Sequence, residues 1–211
     1  MYVVTADQIN SRNDRDRAGE LLAALQNEYG HSFALPADQT AGDEIQIILT
    51  DAASTLGVIL LIHRTGSWNT GLGLGQVRTP LAASTRQSAG EAFIAARDAV
   101  IRSKKADARF ALDVPPHPNG MPDTSINADE LEALITLTLA IRQRRTAEGW
   151  EVIDLLGAGL SQVEIAARLG ISTGAVSQRL KTSLWRVEES ARPALVRLME
   201  SLERATREMK D

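Results

Sequence analysis

The first half of the chain alternates short apolar runs with longer helical periodicities. Residues 2–6 are a compact run with β-branched Val3, Val4 and Thr5, which predicts a buried strand. Residues 14–29 read as a helix closed by Gly30. Residues 33–35 and 44–50 predict two strands joined across the turn Ala41-Gly42-Asp43. Asp51 stands where it can cap a helix reaching about residue 63, and residues 70–77 predict a glycine-rich strand. Ser88-Ala-Gly-Glu91 has capping-box spacing and opens a helix to about residue 102; residues 109–114 predict a last strand. The order strand, helix, two strands, helix, strand, helix, strand predicts an α+β sandwich with helices over one face of a mostly antiparallel sheet.

Residues 114–127 break this pattern with four prolines and a glycine. Proline removes amide donors and glycine raises the entropic cost of order. The expected organisation is therefore an α+β domain over 1–114, a linker over 115–127 and an all-α domain over 128–211. Beyond the linker every periodicity is helical. Residues 128–145 carry Leu131, Leu134, Ile135, Leu137 and Leu139, and Thr146 opens a short helix containing Trp150, Val152, Ile153, Leu155 and Leu156. A last helix is expected over about 191–210, with Pro193 in its first turn. Its stripe of Leu195, Leu198, Met199, Leu202 and Met209 is either a homodimer seam or a face packed on the helix at 128–145.

Between these helices lies the most informative stretch. Ser161-Gln-Val-Glu164 has the spacing of a capping box. Small Ala166 suits a close helix crossing, Gly170 supplies a left-handed stop, Ile171 plugs the turn and Ser172 caps the next helix. Val176 and Leu180 share one face and point inward against Ile165 and Leu169. Thr173, Gly174, Ser177, Gln178 and Lys181 are then left outward, a set suited to entering a major groove. Gln178 matches the edge of adenine, while Arg179 and Lys181 suit phosphates. The plain alternative is a helix-turn-helix used only for protein contact. The string LSQVEIAARLGISTGAVSQRLKTSLWR resembles the helix-turn-helix of LuxR-type and sigma-region-4-type regulators. That resemblance implies double-stranded DNA as partner and a transcription regulator.

Composition qualifies the picture. The net charge of −4 does not announce a nucleic-acid binder, so a local basic face must serve. Arg142, Arg144, Arg145, Arg168, Arg179, Lys181, Arg186 and Arg192 are its candidates. With no cysteine, disulfides and thiolate chemistry are excluded, and three scattered histidines make no metal box. The start lacks a signal-peptide pattern, and the apolar stretch 56–62 is too short to span a bilayer. A cytoplasmic protein is the expectation. Phosphate-loop, Rossmann and nucleophile-elbow signatures are missing.

The N-terminal half carries a second constellation. Asp7 ends the first strand, and Asp43 and Glu44 lie on the turn before another. Two adjacent carboxylates repel unless a cation such as Mg²⁺ sits between them. Residues 1–113 resemble the SatD family and, more distantly, the ferredoxin-like palm of class III nucleotide cyclases and GGDEF enzymes. This likeness implies Asp7, Asp43 and Glu44 as metal ligands, Gly71, Gly73 and Gly75 as the glycine strand, and Arg97 in Phe93-Ile-Ala-Ala-Arg97 as a phosphate contact. Phe93 stands where the cyclases carry asparagine, which argues for binding a nucleotide without converting it, and no catalytic residue is assigned. The alternative is a cyclase-like nucleotidyl-transfer enzyme with a DNA-binding tail. The structural alternative is that the glycines merely permit close packing and the acids merely make a turn.

Overall fold

The computed structural model describes residues 1–40, 42–116 and 126–208. Its strands are β1 (Tyr2–Gln8), β2 (Asp38–Gln39), β3 (Glu44–Leu49), β4 (Trp68–Leu74) and β5 (Phe110–Asp113). Among these lie α1 (Ala18–Tyr29), α2 (Ala52–Arg64) and α3 (Glu91–Ser103). The helical part holds α4 (Ala128–Gln143), α5 (Ala147–Gly157), α6 (Gln162–Leu169), α7 (Thr173–Thr182) and α8 (Trp185–Glu208). The protein is therefore α+β: a five-stranded mixed sheet with helices, followed by an all-helical region. None of the described helices is long and apolar enough to cross a membrane.

The chain divides into two compact units, Met1–Thr136 with Leu195–Asp211, and Leu137–Ala194. The division runs through α4 and α8, so it does not coincide with the boundary expected at 115–127, of which residues 117–125 lie outside the described residues. The reason is polar anchoring of the helix ends. Glu132 on α4 accepts from Leu112 N at 2.7 Å and from Arg102 Nη2 at 2.8 Å. Glu203 on α8 pairs with the N-terminal amine of Met1.

In the first unit the strand order is β2-β3-β1-β4-β5, with all neighbours antiparallel except the parallel pair β4 and β5. Every residue of β4 and all of β1 except Asp7 are buried. Both faces of the sheet's centre are thus covered, not one as the pattern suggested. Helix α3 lies on the face of Val3, Gly71 and Gly73, while α2 packs on α1, β1, β3 and β4.

Local polar chemistry moves several expected boundaries. The helix expected from residue 14 starts at Ala18, because Gln8 holds the preceding segment in another shape. Its amide donates to Arg15 O at 2.7 Å and accepts from Arg17 N at 3.0 Å, offering the backbone bonds that compete with a helix. Gly30 does not end that helix in the left-handed region; with φ of −55° it opens one turn of 3₁₀ helix, Gly30–Ser32. Phe33 forms only an isolated bridge to Leu49, and the hairpin partner of β3 is β2. Thr40 closes that hairpin by donating its amide to Glu44 O at 2.8 Å. Asp51 caps α2 by accepting from Ser54 N at 2.7 Å. Ser88 does not cap α3, since its hydroxyl donates to Ser84 O and Gly90 takes the cap position. Helix α8 starts at Trp185, so Pro193 lies inside it and not in its first turn. Pro193 cannot donate to the carbonyl one turn back, and the division between units falls immediately after it, at Ala194.

Gly71 and Gly73 set how closely α3 can lie on the sheet. A Cβ on Gly73 would stand 2.1 Å from Ala92 O and 2.3 Å from Ala96 N; one on Gly71 would stand 2.3 Å from Val100 N. All three are helix backbone atoms and cannot step aside singly. Gly73→Ala is expected to destabilise the protein by about 3 kcal/mol in urea unfolding. Gly19→Ala, in open space on α1, should leave stability unchanged or raise it by up to about 1 kcal/mol.

Candidate nucleic-acid interface

The unit Leu137–Ala194 is built around Val152, Ile165, Ala166, Val176 and Leu180, with Leu156, Leu169, Ile171 and Trp185 packed around them. Two caps and one turn fix α6 and α7 locally. Ser161 Oγ accepts from Glu164 N, and Glu164 Oε2 accepts from Ser161 N at 2.8 Å, completing the capping box. Gly170 adopts φ 65° and ψ 31°, the left-handed stop. Ser172 Oγ accepts from Ala175 N at 3.1 Å and starts α7. With Val176 and Leu180 buried, Thr173, Gly174, Ser177, Gln178 and Lys181 are exposed on the outer side of α7.

Charge is distributed differently from the sequence expectation. Arg142 and Arg145 do not contribute to a basic face, because both are buried on one carboxylate. Glu188 accepts from Arg142 Nη1 and from Arg145 Nη2, each at 2.6 Å, and from Arg192 Nη2 at 3.2 Å. The two inner guanidiniums lie over the Trp150 ring, 4.7 and 4.9 Å from its centroid. Arg145 Nε also donates to Ser183 O, at the C-terminal cap of α7, at 2.8 Å. One cluster therefore joins α4, α5, the end of α7 and the start of α8. Sequence reasoning missed Glu188 because an acid among basic neighbours reads as solvated surface. Arg179 is half-buried and bonds Glu151 Oε2 at 3.2 Å, while Arg144, Arg168, Lys181 and Arg186 are exposed. Residues 137–194 hold eight Lys and Arg against six Asp and Glu, in a chain of net charge −4.

Residues 139–188 match the family Sigma-70, region 4. The match starts within α4, ends at Glu188 and contains every residue of α5, α6 and α7. Sigma-70 region 4 is a family of DNA-binding helix-turn-helix domains, and the likeness of this segment to it is consistent with a transcription regulator. No curated protein and no solved structure matches the chain.

In the first unit, Asp7 and Asp43 line one cavity of about 980 Å³, together with Arg12, Lys104 and Arg109. Asp7 Oδ2 lies 3.0 Å from Lys104 Nζ and accepts from Asn69 Nδ2 at 3.3 Å, and Asn69 Oδ1 accepts from Arg109 Nη1 at 3.2 Å. Glu44 faces Asp7 across the strands, but its carboxylate accepts from Thr40 and Gln46 and does not line the cavity. Among the described residues no group of three or more His, Asp and Glu is placed to hold a metal ion. Arg97 lines a different cavity. Gly71 and Gly73 are covered by α3, and the open side of Gly75 meets Pro115 and Ala92. The structure thus brings Asp7 and Asp43 together and leaves Glu44, Arg97 and the glycines away from them.

Burial pushes the Glu188 carboxyl up, but Arg142 and Arg145 more than offset this and hold it below the usual range. The same burial brings the Arg142 guanidinium down to about 10, so it stays protonated at neutral pH. A depressed carboxylate stabilises the fold above its unfolded pKa, and that contribution is lost as pH falls through the folded value. Glu188→Gln is expected to cost about 3 kcal/mol at pH 7 in thermal unfolding of the region 4-like unit. The gap to wild type should close as the pH falls below the carboxylate range.

Proposed function

We propose that the chain regulates transcription by presenting α7 to the major groove of a specific double-stranded DNA. The observation that carries this is the exposed set Thr173, Gly174, Ser177, Gln178 and Lys181 on the second helix of a region 4-like domain. Gln178 pairs with an adenine edge, short Ser177, Thr173 and Gly174 let the helix approach, and Lys181 meets phosphate. Arg179 joins it, because its exposed bond to Glu151 is worth less than about 1 kcal/mol and yields to a phosphate. Reading paired half-sites would use a homodimer. Its seam lies elsewhere than the α8 stripe, since Leu195, Met199 and Leu202 are already buried in the single chain and Met209 lies outside the described residues.

The test is binding to duplexes enriched from a random pool, measured across a salt series. Lys181→Ala should weaken binding to all duplexes and reduce the salt slope by about 1, whereas Gln178→Ala should relax preference at one base pair by about 1–3 kcal/mol. Failure to enrich any sequence, or unchanged binding in both variants, would sink the proposal.

A second reading gives the first unit a Mg²⁺-nucleotide signal, held by Asp7 and Asp43. The supporting observation is backbone strain around their cavity: Asn10 and Arg109, both lining it, adopt φ of 55° and 51°. A metal there competes with Lys104 for Asp7. Nucleotide with Mg²⁺ should raise the melting temperature of wild type and not of Asp7→Asn. Labelled product formed from a nucleoside triphosphate would instead support the cyclase-like alternative.

A further inference from the structure

The segment between β4 and α3, residues 75–90, is longer than most connections in compact domains, about 12 residues being the usual upper range. It is nonetheless ordered by several bonds. Arg78 N donates to Ala89 O at 2.8 Å, Ala92 N donates to Gln76 O, and Val77 bridges Gly90. Buried Thr85 donates its hydroxyl to Pro36 O at 2.8 Å, and Arg86 Nε lies 3.3 Å from Asp38 Oδ2. Ordering a long polar connection costs conformational entropy, and such segments persist mainly where they carry function.

What the segment presents is positive charge. Arg78 and Arg86 reach a cavity of about 680 Å³ whose other wall is α3 with Arg97. Gln46 on β3 and Phe93 on α3 also line it, adding an amide and an aromatic surface. The acids Glu91 and Asp98 line it too, yet among the described residues neither Arg78 nor Arg97 has an ion-pair partner. Arg86 is answered by Asp38, so Arg78 and Arg97 are the two guanidiniums this hollow offers to an entering anion. Their planar forks match phosphate oxygens, and the volume falls within the usual range for small-molecule sites.

We propose that this cavity binds a small phosphate ester without a metal ion, with Arg78 and Arg97 holding the phosphate and Phe93 flanking the organic part. The site is separate from the Asp7 and Asp43 cavity and from the helix-turn-helix, so it stands or falls independently of both functional readings.

The experiment is calorimetric titration of the full-length chain in low salt with excess EDTA. Its probes are inorganic phosphate, pyrophosphate and AMP, with citrate as a polyanion that lacks phosphate. Binding of AMP or pyrophosphate is expected, weakened at least about tenfold by Arg97→Gln and by Arg78→Gln. Excess EDTA abolishes metal-dependent binding, which separates this site from the one proposed at Asp7 and Asp43. The far-ultraviolet spectrum and melting temperature of each variant show that it is folded, and both arginines are exposed surface residues. No binding of any phosphate probe at millimolar concentration overturns the proposal. So does unchanged affinity in both arginine variants, or citrate binding as tightly as pyrophosphate.

Discussion

The helix-turn-helix unit depends on a single buried carboxylate. The Glu188 side chain is 2% exposed, and an isolated carboxylate at such depth would be costly or would protonate. Arg142 and Arg145 keep it charged, and Glu188 in turn keeps two guanidiniums in a poorly solvated position over Trp150. No member of this set is stable there alone. A buried ion pair is weak evidence for net stability, because desolvation offsets most of the attraction. Its effect here is geometric. Through Arg145 and Ser183 O the cluster pins the C-terminal end of α7, while the caps at Ser161 and Ser172 and the left-handed Gly170 set its N-terminal end. A helix held at both ends presents Gln178 and Lys181 in one orientation, and a fixed orientation is what the proposed base-edge recognition needs.

The α+β unit obeys a different constraint, close approach of helix to strand. Without Cβ atoms at Gly71 and Gly73, α3 sits against β4 at backbone contact, and small Ala92, Ala96 and Ala99 of α3 are fully buried. Few aromatic residues are required when alanine and glycine fill the contact, in keeping with an aromatic share of 4%. The same closeness removes the glycine strand from consideration as a ligand cradle. What stays open is at the margins: the cavity around Asp7 and Asp43, and the arginine-lined hollow beneath segment 75–90.

Elements defined by their own neighbours were legible in the sequence. The Asp51 cap, the Ser161–Glu164 box, Gly170 and the Ser172 cap involve atoms within a few residues of one another, and each forms as the spacing implied. The expectations that shifted were also local in form but were outcompeted by partners outside the expected motif. Gln8 draws residues 15–17 away from the helix expected there. Ser88 lies at capping distance in sequence, yet its hydroxyl turns to Ser84 O. Glu132 and Glu203 tie parts of α4 and α8 to the first unit, across separations that no spacing rule covers.

The sequence by itself determined the α+β then all-α order, the helix-turn-helix and its outward residues, because periodicity and capping are short-range physics. The tertiary structure alone decided which charges are available. It buried Arg142 and Arg145 on Glu188, engaged Asp7 with Lys104, separated Arg97 from Asp7 and Asp43, and gathered Arg78, Arg86 and Arg97 around one cavity. Charge acts through distance and solvent exposure, and neither exists until the chain has folded.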